Sequence, residues 1–110
     1  MNAPLHQEMP LALLDDVQAL EHASAQWDND ILARLRDYIA VPAKSPAFDP
    51  RWVEHGHIET VLRSAAAWVE AQKVDGLRIE IVRLGGRTPL VTFELDATRA
   101  ASTQTVLMYG

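Results

Sequence analysis

At 110 residues, 48% hydrophobic and 23% charged, the chain has the size and balance of one folded domain rather than a disordered segment. A net charge of -5 and the lack of any Lys and Arg cluster argue against a surface that neutralises nucleic-acid phosphates. The absence of cysteine excludes disulfides, thiolate metal ligands and a cysteine nucleophile.

The opening Met1-Asn2-Ala3-Pro4-Leu5-His6 has neither a basic region nor a long apolar run, and the longest wholly apolar stretch is Ala65-Ala66-Ala67-Trp68-Val69. No signal peptide or membrane span is expected, and a cytoplasmic location is. Leu13, Val17, Leu20, Ser24, Trp27, Ile31, Leu35 and Tyr38 then recur at spacings of three and four, with no Gly or Pro between Pro10 and Pro42. That periodicity predicts helix over about residues 11–40. Asp28-Asn29-Asp30 reads as a cap for a second helix starting near Ile31, its acidic pair suiting the positive end of a helix dipole, so a break is expected there.

The prolines of Val41-Pro42-Ala43-Lys44-Ser45-Pro46-Ala47-Phe48 remove backbone donors and favour extended geometry, ending that helix in an ordered loop. A further helix is expected over about residues 50–74, with Asp49 as N-cap and Pro50 at the first helical position, where its missing N–H costs nothing. Ile58, Val61, Leu62, Ala65, Trp68, Val69 and Gln72 mark its inward stripe. Lys73 falls in its last turn, and Gly76 in the left-handed position past the end.

Three strands are expected next, over about residues 77–84, 90–95 and 104–109. Leu77, Ile79 and Ile81 alternate with Arg78, Glu80 and Val82, a period of two. Gly85-Gly86-Arg87-Thr88-Pro89 reads as the turn into a second strand with Val91, Phe93 and Leu95 on one side, and residues 96–103 as a polar loop. Thr105-Val106-Leu107-Met108-Tyr109-Gly110 carries four apolar residues in succession, the pattern of a central strand covered on both faces in a parallel sheet. Ligands of open α/β sheets bind just beyond the carboxyl ends of such strands.

Few side chains along the way suggest chemistry. His55 and His57 form a His-x-His pair, but residues two apart on a helix lie on nearly opposite sides, and no third ligand is fixed by the pattern. His55 and Glu59 share a helix face and read as a solvated pair. Gly85-Gly86-Arg87-Thr88 lacks the spacing of a phosphate-binding loop and is followed by a strand, although Arg87 would reach a ligand held beside it. Trp27, Trp52 and Trp68 in an acidic chain read as core rather than as stacking platforms. Ser45, between Lys44 and Pro46, has no His or carboxylate placed beside it by a recognisable motif. The expected catalytic set is none, and the expected metal set within the chain is none.

Taken together, Tyr38-Ile39-Ala40-Val41-Pro42-Ala43-Lys44-Ser45-Pro46, the helix from Ile58 to Val74, Arg87-Thr88-Pro89-Leu90-Val91 and Thr105 to Gly110 resemble the amino-terminal part of the dinuclear zinc metallopeptidases of the carnosinase and Cys-Gly dipeptidase type. The resemblance runs from about Tyr38 to the end. It implies an α/β fold in which residues 1–110 are the incomplete first part of an α/β/α catalytic domain, without the lid domain through which such enzymes dimerise. It further implies two zinc ions and a peptide substrate in the full-length enzyme. In that family a strand like Val106-Leu107-Met108-Tyr109-Gly110 leads directly into His-x-Asp, whose His binds one zinc and whose Asp bridges both. Every ligand, and the Glu that acts as general base, falls after Gly110, so no functional residue of the family maps onto a numbered position here. An N-terminal part inactive alone is therefore expected, the other expectation being a small non-enzymatic protein that binds a partner through an exposed sheet edge.

Overall fold

A computed structural model describes residues 15–98 and 103–110, so Leu13, the expected helix start near residue 11 and part of the loop before the third expected strand lie outside the described residues. The chain divides into two units, residues 1–40 and 41–110.

The first unit is helical from Asp16 to Ala40. Asp15 caps it, its carboxylate accepting the Gln18 N–H at 3.1 Å and so satisfying one of the free donors of the first turn. Helix α1 (Asp16–Gln26) passes through a π-turn at Trp27–Ile31 into α2 (Leu32–Ala40), with the Leu32 N–H bonded to the Trp27 carbonyl five residues back. The break expected at Asp28-Asn29-Asp30 is absent. Instead of capping, Asp30 accepts a bond from Arg34 Nε at 3.1 Å, one turn along the helix. The widened turn shifts the phase of the apolar stripe, because a π-turn inserts one residue into the α pattern. Ile31 and Leu32 are half-buried, whereas Leu20 and Tyr38 are exposed.

In the second unit the loop from Val41 tightens at two points. The Ala43 N–H reaches the Val41 carbonyl at 2.8 Å across Pro42, and the Phe48 and Asp49 N–H groups both reach the Ser45 carbonyl at 2.9 Å. The helix expected over 50–74 is two helices. A single turn, α3 (Trp52–His55), ends at Gly56, whose φ of 68° is left-handed, and α4 (His57–Ala71) starts at the next residue. After α4 it is Lys73, not a glycine, that takes the left-handed position, with φ 53°. Gly76 is also left-handed, at 77°, but in the turn entering the sheet.

Strands β1 (Leu77–Val82) and β2 (Leu90–Leu95) form a two-stranded antiparallel hairpin. Its register pairs Leu77 with Leu95, Ile79 with Phe93 and Ile81 with Val91, which puts the apolar alternate positions of both strands on one face. Arg78 opposite Glu94 and Glu80 opposite Thr92 occupy the other. Helix α4 packs against β2. Ile58, Val61, Leu62, Trp68 and Val69 on the helix, with Ile79, Ile81 and Val91 on the hairpin, are half-buried, while Ala65 and Gln72 of the expected stripe are exposed. Among the described residues none is fully buried, so this half-covered layer is the nearest the unit comes to a core.

The third expected strand is not formed. Residues 103–110 have no regular structure, and Val106, Leu107, Met108 and Tyr109 are 82%, 93%, 87% and 100% exposed. A run with apolar side chains on both faces requires neighbours on both faces, and no covering layer meets it among the described residues. The parallel sheet is likewise replaced by an antiparallel pair. What holds is the coarser class, helices combined with a small sheet.

Candidate functional site

The side chains with the most chemistry gather where the Pro42 loop meets α3 and α4. Asp49 is held from two sides. Its Oδ1 accepts the Arg51 N–H at 3.1 Å, an Asx-type turn that fixes the carboxylate just ahead of α3, and its Oδ2 lies 2.7 Å from His55 Nδ1. The Asp49 side chain is only 14% exposed, against 42% for His55, so the carboxylate forms the floor and the imidazole the rim. The bond from His55 holds the Asp49 carboxyl below the ordinary carboxylate value, burial opposing and the Arg51 N–H and the charges of His55 and His57 assisting.

Gly56 brings the second imidazole in. Its left-handed φ turns the chain between α3 and α4, and the rings of His55 and His57 come to 5.8 Å between centres with planes 34° apart. The expectation that the two point to opposite sides assumed one continuous helix; with the helix broken at Gly56, their rings come close together. They line a shallow cavity of about 240 Å³ with Pro42, Lys44, Phe48 and Asp49. Asp49 was expected only as a cap, and the signal that it would hold His55 lay in the turn-forming Asp49-Pro50 ahead of a helix too short to carry His55 away.

The other candidates are not brought together. Glu59 does not pair with His55; it is taken by Arg63 Nε at 3.0 Å on its own helix and by Arg83 from the end of β1. Those arginines hold its carboxyl low, the hydrogen bond from Arg83 contributing most. Gly85-Gly86-Arg87 is a tight turn, the Arg87 N–H meeting the Leu84 carbonyl at 3.1 Å, with Gly86 at φ 74° where a type II turn requires a positive angle. Ser45 is exposed and contributes its carbonyl to the loop. Trp27 is 45% exposed, and Trp52 and Trp68 are half-buried rather than core. On the open face of the hairpin Arg78 binds Asp96, at 2.8 and 3.2 Å, and Glu94 at 3.1 Å, an exposed network that pushes the guanidinium up and the Asp96 carboxyl down.

Among the described residues no three His, Cys, Asp or Glu side chains are arranged to hold a metal ion, and no helix is long and apolar enough to cross a membrane. Neither protein-family models nor curated proteins give a match to this chain.

Proposed function

We propose that the chain is the N-terminal part of a cytoplasmic, zinc-dependent metallopeptidase of the carnosinase and Cys-Gly dipeptidase type, a hydrolase of dipeptides or related amides. The observation that carries the reading is the run Val106-Leu107-Met108-Tyr109-Gly110, which resembles the strand leading into the family's zinc ligands and stands 82% to 100% exposed from Val106 to Tyr109. Apolar side chains displayed on both faces fit a central strand whose neighbours come from more of the same domain. The half-covered layer between α4 and the hairpin fits the same explanation.

The described residues do not fit the zinc pair, so no catalytic step is assigned to them. On this reading they serve as scaffold, with Tyr109 and Gly110 delivering the backbone to the first ligand. The test is to read the coding sequence after Gly110 and to express the chain with its continuation. The expected result is His-x-Asp directly after Gly110 and dipeptide hydrolysis that disappears on chelation and returns with zinc. A different continuation, or an extended chain inert with zinc on a panel of dipeptides, would overturn the proposal.

A second reading, a small interaction protein, is favoured by one observation: β1 and β2 pair only with each other, so each has an unpaired edge among the described residues. It requires a partner peptide that slows amide exchange along the outer edge of β1 or β2. Without such protection in the presence of a captured partner, it fails.

A further inference from the structure

We propose that His55 and His57 form a two-imidazole site for a divalent transition metal such as Zn²⁺ or Ni²⁺, with water in the remaining positions and Asp49 orienting His55 from behind. The site goes beyond the peptidase reading. It is built wholly from residues 42–57, whereas the zinc pair of that reading lies after Gly110.

The spacing carries the first part of the argument. With a metal about 2.1 Å from each nitrogen and each ring centre roughly 1 Å further back, two tetrahedrally placed imidazoles have centres about 5 Å apart. The observed 5.8 Å between ring centres is close to that spacing. Among the described residues the His57 side chain makes no hydrogen bond that would tie its ring elsewhere. Gly56 supplies the geometry, since on an unbroken helix the two rings would diverge.

The second part is the orientation of His55. A metal-binding histidine commonly donates its other ring N–H to a carboxylate, which fixes the tautomer and turns the free nitrogen outward. His55 Nδ1 lies 2.7 Å from Asp49 Oδ2, and Asp49 is itself held by the Arg51 N–H at 3.1 Å. A proton on Nδ1 leaves Nε2 as the ligand. Imidazoles suit zinc and nickel better than magnesium or calcium, which take oxygen donors.

Lys44 faces the same cavity and opposes a cation. That gives the experiment a variant of opposite sign. With only two protein ligands, the site is a weak, open one in which a bound ion keeps exchangeable water.

The test is titration of the 110-residue chain with Zn²⁺ and with Ni²⁺ near neutral pH, followed by calorimetry and by imidazole nitrogen NMR. The expected result is one metal per chain, with His55 and His57 resonances responding and His22 unmoved. His55→Ala and His57→Ala should each weaken binding at least tenfold, and Asp49→Asn by about tenfold, the usual cost of losing a carboxylate behind a ligand. Lys44→Gln should tighten it severalfold, a gain that an unfolded variant would not give. Binding unaffected by His57→Ala, or no binding of either metal at millimolar concentration, would overturn the proposal. So would uptake of inorganic phosphate that Lys44→Gln abolishes without any response to metal, which would make the cavity an anion site.

Discussion

Arg83, the residue after β1, donates from its guanidinium to the carboxylate of Glu59 on α4, linking two elements across 24 residues of sequence. Arg63 holds the same carboxylate from one helical turn away at 3.0 Å. The pairing lowers the Glu59 pKa in the folded chain from its ordinary 4.5. A depressed carboxylate contributes stability that is fully present above the unfolded value and is lost as pH falls through the folded one. The link between α4 and the hairpin should therefore be intact above about pH 4.5 and should weaken progressively below it. Carboxyl-carbon NMR of Glu59 checks this: Arg83→Gln should move its titration midpoint upward toward 4.5, and an unchanged midpoint would show that the pair does not persist in solution.

Gly56→Ala should destabilise the second unit by about 1 kcal/mol, because a residue with a Cβ resists the left-handed region. A Cβ there would meet nothing within 4 Å, so the cost is conformational and not steric contact. The same substitution favours a continuous helix from α3 into α4, which would carry His55 and His57 apart. Urea denaturation reports the first effect, and loss of the ring-to-ring proton contacts reports the second. A variant as stable as the parent, with its rings still in contact, would mean that Gly56 does not need its positive φ.

The difference between what was legible and what was not follows from range. The period of two in Leu77, Ile79 and Ile81, and again in Val91, Phe93 and Leu95, is local information, and both strands form with those residues on one face. The three-and-four spacing from Ile58 to Val69 is equally local, and α4 forms. Gly56 was opaque because a single glycine in a helical pattern is usually tolerated there, and the His pair was dismissed on the geometry of a helix that the glycine interrupts. The π-turn at Trp27–Ile31 was opaque because it leaves helical spacing on either side intact. The run Val106 to Tyr109 has strand character, but a strand is a pairing. Its own residues cannot provide the partner.

Lys73→Gly should stabilise the chain by roughly 0.5 kcal/mol. Lys73 occupies the left-handed position after α4, φ 53°, which a helix end ordinarily gives to glycine. Relief of the Cβ penalty, about 1 kcal/mol, is partly offset by the greater freedom of glycine in the unfolded chain. A rise in the urea midpoint with an unchanged slope is the expected reading. A fall would show that the lysine side chain contributes more than its backbone strain costs.

The exposed run at residues 106–109 should make the chain self-associate, because an uncovered apolar segment without Pro or charge is a template for pairing. Sedimentation velocity over a concentration series measures this, with circular dichroism confirming that the helices are retained. The two faces of the run can be separated by substitution. In a strand, Leu107 and Met108 point to opposite sides, so a single charge at either one tests one face. If the segment acts as a strand that needs cover on both sides, Leu107→Glu and Met108→Lys should suppress association to a similar degree. If it lies against a surface with one face only, one substitution should act and the other should be silent. An equal effect is the expected outcome, since four successive apolar residues leave neither face polar. A chain that stays monomeric at every concentration would mean that the run is not a strand in waiting, and would remove the physical support that its exposure gives to the peptidase reading.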